Sequence, residues 1–185
     1  MQKVCKDTRG FSMIEMIITI AILAVLASIA GGTFSIIRSG NASKSTAKFL
    51  SRLDTTQVEC LSKKGMTYLY LYKDSKGVRT LIYNDGTEDG LSTRAEVISA
   101  AATYDVMTIA GSAVDFTVSD GSNSKDDSNL VVKIAFNKSS GAFLCCKKID
   151  DASGTTFYDS IKFKGRGTTS YGVKLVQYTG KHMQA

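Results

Sequence analysis

From Phe11 to Gly32 the chain runs for 22 residues with a single ionisable side chain, Glu15. The only other polar side chains in the stretch are the small hydroxyls of Ser12, Thr19 and Ser28. Wound as a helix at 1.5 Å per residue it is about 33 Å long, enough to cross the hydrocarbon core of a bilayer. Lys3, Lys6 and Arg9 precede it, and basic residues are sparse just after it. That asymmetry predicts a single pass with the N-terminus in the cytoplasm and everything from Thr33 onward outside.

Glu15 is out of place in a plain anchor. An ionisable group inside a spanning segment costs about a few kcal/mol and marks function by default. A chain cut after Gly10 would carry an amine on Phe11, in the first turn of the same helix. With a reference pKa of about 8, that amine is largely protonated at neutral pH. When two such helices lie side by side, the carboxylate of one meets the amine of the other in an apolar setting, where attraction is much stronger than in water.

The run Gly10-Phe11-Ser12-Met13-Ile14-Glu15 resembles the prepilin processing site of type IV pilins and pseudopilins, in which a membrane peptidase cuts after the glycine and methylates the new N-terminal phenylalanine. The resemblance extends through about Ala30 and joins a basic leader, a Gly-Phe junction, an acid at that offset and an uninterrupted apolar helix. It implies that Gly10 is the last leader residue, that Phe11 is the N-methylated first residue, and that Glu15 neutralises a neighbour's N-terminus during assembly. It also implies the partners: prepilin peptidase, an assembly platform and motor, the membrane before assembly, and other copies or related pilins afterwards. The expected product is a structural subunit of an extracellular fibre at the cell surface, not an enzyme. A pseudopilin of a secretion or DNA-uptake system is the alternative within the family.

Two readings outside the family remain open. One is a non-polymerising membrane-anchored domain, the other a secreted domain with a signal peptide ending near Ser28-Ile29-Ala30. The mature N-terminus separates them: Met1 for an anchor, a residue near Gly31 for secretion, N-methylated Phe11 for a pilin.

The 185 residues divide into a leader (1–10), an apolar helix (11–32), an amphipathic continuation (33–65) and a head (66–185). The net charge of +6 includes three bases and one acid in the leader, so +4 remains after processing. That mild excess points away from a dedicated nucleic-acid protein. Of four cysteines, Cys5 leaves with the leader. Among Cys60, Cys145 and Cys146 a disulfide is possible on the outer side of the membrane, and so are three thiols. Adjacent residues on a strand face opposite ways, so at most one of Cys145 and Cys146 faces the helix.

Phe34, Ile37, Phe49, Leu50, Leu53, Val58 and Leu61 recur at helical spacing, and Gly65 after Lys63-Lys64 marks a stop. One helix from about Phe11 to Lys64 follows. Gly31-Gly32 weakens it by roughly 1 kcal/mol per glycine, and Ser39-Gly40-Asn41 is a second point for a bend or break. The remainder predicts an α+β, pilin-like head. Strands are expected over 66–72 and 78–83, then a helix over 92–104 with Thr93 and Glu96 as a capping box. Further strands are expected over 106–109, 113–118, 130–136, 142–149, 156–163 and 171–178. An antiparallel sheet built from these packs one face on the helix and leaves the other wet.

Enzymatic constellations are lacking. The one histidine, His182, sits in the C-terminal tail, which excludes histidine triads and multi-histidine zinc sites. Gly165-Arg166-Gly167 lacks the strand–loop–helix setting of a phosphate loop. No cofactor or metal is expected. The acidic Asp120–Asn129 loop suggests calcium but lacks the alternating ligands of an EF-hand. Lys162, Lys164, Arg166, Lys174 and Lys181, with Tyr171, Tyr178 and Lys147-Lys148, form a weak basic-aromatic set. Nucleic acid is a conceivable partner for it, while edge and surface lysines are the commoner explanation.

Overall fold

The apolar periodicity that follows residue 40 becomes the buried face of a long helix. In the computed structural model, α1 spans Met13–Ser62, and helical backbone passes through Gly31-Gly32 and Ser39-Gly40-Asn41 without ending there. The structure describes residues 12–125, 129–149, 157–165 and 169–185, with the side chains of 29–40 left aside. By its contacts the chain divides into two units, one up to Ile37 and one from Arg38 to Ala185.

In the second unit α1 buries Ala42, Ser45, Thr46, Phe49, Arg52, Leu53, Thr56 and Cys60, a stripe at three- and four-residue intervals. The polar members of the stripe are hydrogen-bonded, although Arg52 Nε finds no partner among the described residues. Ser45, Thr46 and Thr56 donate their hydroxyls to carbonyls one turn back, and Arg52 donates to the Asp105 carboxylate at 2.7 Å and to its carbonyl at 3.1 Å.

Among the described residues ten strands follow: β1 Tyr68–Asp74, β2 Gly77–Tyr83, β3 Asp105–Ala110, β4 Asp115–Ser119, β5 Ser124–Lys125, β6 Val131–Phe136, β7 Phe143–Lys148, β8 Ser160–Lys164, β9 Ser170–Val176 and β10 Lys181–Gln184. The short helix α2, Arg94–Ala100, lies between β2 and β3. The chain is α+β and pilin-like in arrangement, a long helix followed by antiparallel strands. The strands form two five-stranded sheets where the sequence suggested one: β3-β2-β1-β6-β7 and β10-β9-β8-β4-β5. Leu69, Leu71, Ile134 and Phe136 of the first sheet share one core with Phe116, Ile161, Phe163 and Val173 of the second and with Phe49, Leu53 and Cys60 of α1. Phe49 and Phe163 meet edge to face with ring centroids 5.5 Å apart.

The first sheet departs from the expected wet outer face. In β1, Leu69 and Leu71 point into the core while Tyr68, Tyr70 and Tyr72 form a second cluster with Leu81, Val131 and Val97 of α2. Tyrosine makes this possible, because an apolar ring can be buried while its hydroxyl reaches a polar group. Tyr68 donates to Glu88 O at 2.6 Å and Tyr70 to Leu91 O at 3.2 Å, so both hydroxyls are tied to the 84–92 loop. Helix α2 begins as its sequence predicts. Thr93 Oγ1 accepts from the Glu96 backbone N–H, and the Glu96 carboxylate accepts from Thr93 and Ser92.

The β1–β2 turn is tighter than the sequence reading, with Asp74 paired to Gly77. Gly77 has φ +121°, and a Cβ there would lie 2.1 Å from Ala110 O, so the close approach of β3 requires glycine. The expected polar loop from Asp120 turns back as β5 against β4. The expected tail is β10, paired with β9.

Candidate functional site

The described part of the first unit begins at Ser12, whose carbonyl accepts the N–H groups of Glu15 at 3.0 Å and Met16 at 3.2 Å. Ser12 therefore closes the first turn of α1, and Glu15 sits in that turn. A carboxylate there is favoured by the unsatisfied N–H groups and positive dipole end of the helix. Gly10 and Phe11, the residues assigned to cleavage and methylation, lie outside the described residues.

The helix that carries Glu15 has no covered side over residues 13–28. Ile14, Ile17, Ile18, Ile20, Ile22, Leu23, Val25 and Leu26 are all more than half exposed. A helix that is apolar all round is one that becomes buried by something outside itself. Its two hydroxyls are already satisfied within it: Thr19 donates to Met16 O at 2.9 Å and Ser28 to Val25 O at 2.7 Å. The surface thus presents hydrocarbon with one acid near its start. Among the described residues no helix is long and apolar enough to cross a membrane. The described apolar segment of 16 residues spans about 24 Å.

In the second unit Cys60, Cys145 and Cys146 are unbridged thiols. Cys60 Sγ donates to Phe136 O at 3.1 Å. Cys146 shares the core with Cys60, whereas Cys145 belongs to the tyrosine cluster on the other face, as strand alternation requires. Burial pushes the Cys146 thiol well above its ordinary range; it also raises Cys145, with Lys133 and Lys147 pulling the other way. Neither environment favours a reactive thiolate.

The basic-aromatic set is not brought together as one patch. Lys162, Lys164 and Lys174 project from the exposed face of the second sheet, opposite the buried Ile161, Phe163, Val173 and Leu175. Tyr171 pairs with Phe163 on the opposite side of the strands from those lysines. Lys147 and Lys148 belong to β7 of the other sheet, and Arg166 lies outside the described residues. Within the acidic loop, Asp120 accepts the N–H groups of Ser122 and Asn123 and so serves its own turn. Among the described residues no three His, Cys, Asp or Glu side chains converge to hold a metal.

Sequence reasoning missed the role of His182. Its ring is buried between Phe143 and α1, with Nε2 2.9 Å from Asp54 Oδ1 and Nδ1 3.1 Å from Gly180 O. It also missed the group of Tyr72, Arg79 and Arg94 on the outer face of the first sheet.

Comparison with curated proteins and with solved structures gives no match. Residues 5–31, however, match the family model of the prokaryotic N-terminal methylation motif. The second half of the leader, the Gly-Phe junction, Glu15 and the exposed apolar residues 13–28 fall within that one span, and the chain therefore carries the leader motif of type IV pilins and pseudopilins.

Proposed function

We propose that this chain is the precursor of a subunit of a type IV pilus-like extracellular fibre. The leader is removed between Gly10 and Phe11, the Phe11 amine is methylated, and Glu15 then meets the amine of an adjacent copy. The observation that carries the proposal is the conjunction within the motif of an unpartnered apolar helix and one acid in its first turn. Before assembly the apolar segment of residues 11–32 holds the subunit in the membrane with the head outside. During assembly the same surface is covered by like helices, an exchange of one apolar environment for another that small side chains such as Ala21, Ala24 and Ala27 make close. The chain's own residues perform no catalysis in this scheme; processing and polymerisation are done to it by the peptidase, platform and motor.

Intact-mass analysis of the protein from its native cells, with sequencing of its N-terminus, tests the first half. The expected result is a chain that begins at N-methylated Phe11, whereas Met1 or a start near Gly31 overturns it. Sheared surface fibres, imaged and identified by mass spectrometry, test the second half. Head peptides in fibres support the pilus reading. A processed subunit confined to the envelope supports a pseudopilin role.

A further inference from the structure

Five buried side-chain nitrogen or oxygen atoms find no hydrogen-bond partner among the described residues, and three belong to one spot: Tyr72 OH, Arg79 Nε and Arg94 Nη1. Tyr72 and Arg79 are direct cross-strand partners in the β1–β2 hairpin, which puts both on the outer face of the first sheet. Arg94, the first residue of α2, reaches the same hairpin and donates Nη2 to Lys73 O at 2.7 Å. The Tyr72 ring is 1 % exposed.

The charges there do not balance. Arg79 donates to Asp74 at 2.8 Å, and Asp74 also accepts from the Lys76 backbone N–H. Lys73, which alternates to the opposite face of β1, is paired with Asp115. Arg94 has no carboxylate partner among the described residues, so two guanidinium groups face the single Asp74 carboxylate. All three unpartnered atoms can donate. A half-buried guanidinium with an unmade hydrogen bond is costly, and water would satisfy the donors without offsetting the charge.

We propose that Tyr72, Arg79 and Arg94 form a binding site for a compact oxyanion. Guanidinium groups present N–H donors in a fixed fork that suits an oxyanion's several lone pairs, and the tyrosine hydroxyl adds a third donor. The side chains of Arg79 and Asp74 are 18 % and 21 % exposed, so solvent touches the site and a small ion can enter.

The test is thermal unfolding of the full-length chain in detergent at constant pH and ionic strength. Sodium phosphate, sulfate and acetate are each compared with sodium chloride. A saturable rise in Tm with phosphate or sulfate beyond chloride is expected. Acetate acting equally well would assign planar carboxylates to the site, and acetate without effect would assign tetrahedral anions. Tyr72→Phe keeps the buried ring and should weaken the anion's apparent affinity about tenfold; Arg94→Gln should abolish the effect. No oxyanion-specific rise in the unmodified chain, or an equal rise in Tyr72→Phe, would overturn the proposal. Should Arg94→Gln fail to fold, the unmodified chain and Tyr72→Phe still decide it.

Discussion

His182 Nε2 lies 2.9 Å from Asp54 Oδ1, joining residues 128 positions apart in sequence. Through this pair the last strand is fastened to α1, and the Phe143 ring closes over the imidazole. His182→Ala would remove a buried ring and leave Asp54 and Gly180 O without it. The expected loss is about 1–2 kcal/mol, seen as a fall in Tm of about 4 °C. Asp54→Ala should cost less, because that carboxylate stays largely in water. An unchanged Tm in His182→Ala would show that the imidazole's contacts with Asp54 and Phe143 contribute nothing to the head's stability.

Acid should loosen the β1–β2 hairpin through Asp74. Burial alone would raise its pKa, but hydrogen bonds from Arg79 and from backbone N–H groups outweigh burial and hold the carboxyl below its ordinary value of 3.8. A depressed carboxylate stabilises the fold fully above its unfolded pKa, and that contribution disappears as pH falls through the folded one. Tm measured from pH 5 to pH 2 should therefore decline less steeply in Asp74→Asn than in the unmodified chain. Some slope will persist, since Asp85 is held low by Thr87, Glu96 by the Ser92 N–H and Asp120 by the Asn123 N–H.

Thiol counting reads both processing and packing. The denatured chain should titrate four cysteines before leader removal and three after it. In the native state Cys60 and Cys146, both buried, should be silent toward a thiol reagent at pH 7. Cys145 should react roughly tenfold more slowly than a free thiol, its pKa raised by burial. A mass lower by two hydrogens in protein from the native cells would instead reveal a bridge.

Glu15→Ala is the direct probe of assembly. The variant should still be cleaved and inserted, since neither the Gly-Phe junction nor the apolar surface changes. Its share in fibres should fall by about tenfold or more when co-expressed with the unmodified chain, as expected for loss of a charge pair in an apolar setting. Equal incorporation would exclude the pairing.

Much of the architecture was legible because it depends on local rules. The stripe that includes Phe49 and Leu53 announced the buried face of α1, and Thr93 with Glu96 announced the start of α2. The opposed placement of Cys145 and Cys146 followed from the pleat alone. What escaped was decided by partners distant in sequence. The alternation in Tyr68-Leu69-Tyr70-Leu71-Tyr72 suggests one dry face and one wet, yet α2 and the 84–92 loop cover the tyrosines. Residues 181–184 read as a polar tail, and only Asp54 and the β9 edge make them a strand. Nothing in the local spacing around Arg79 and Arg94 reveals that a hairpin and a helix start meet at Tyr72. At the N-terminus the reverse holds: the motif was plain in the sequence, and the fold adds the closing of the first helical turn on Ser12, with Glu15 inside that turn.

The inward-turned hydroxyls of Thr19 and Ser28 have a mechanical corollary. With both donors spent on their own helix, residues 16–28 offer a like helix no free hydroxyl donor, and contact between two copies there is non-directional and hydrophobic. Two such rods can slip past each other by a helical turn, about 5.4 Å, without breaking a hydrogen bond between them. In a filament built on this surface, axial register would rest on a single carboxylate per subunit, and stretching under load would be resisted at that point before any other along the described apolar segment.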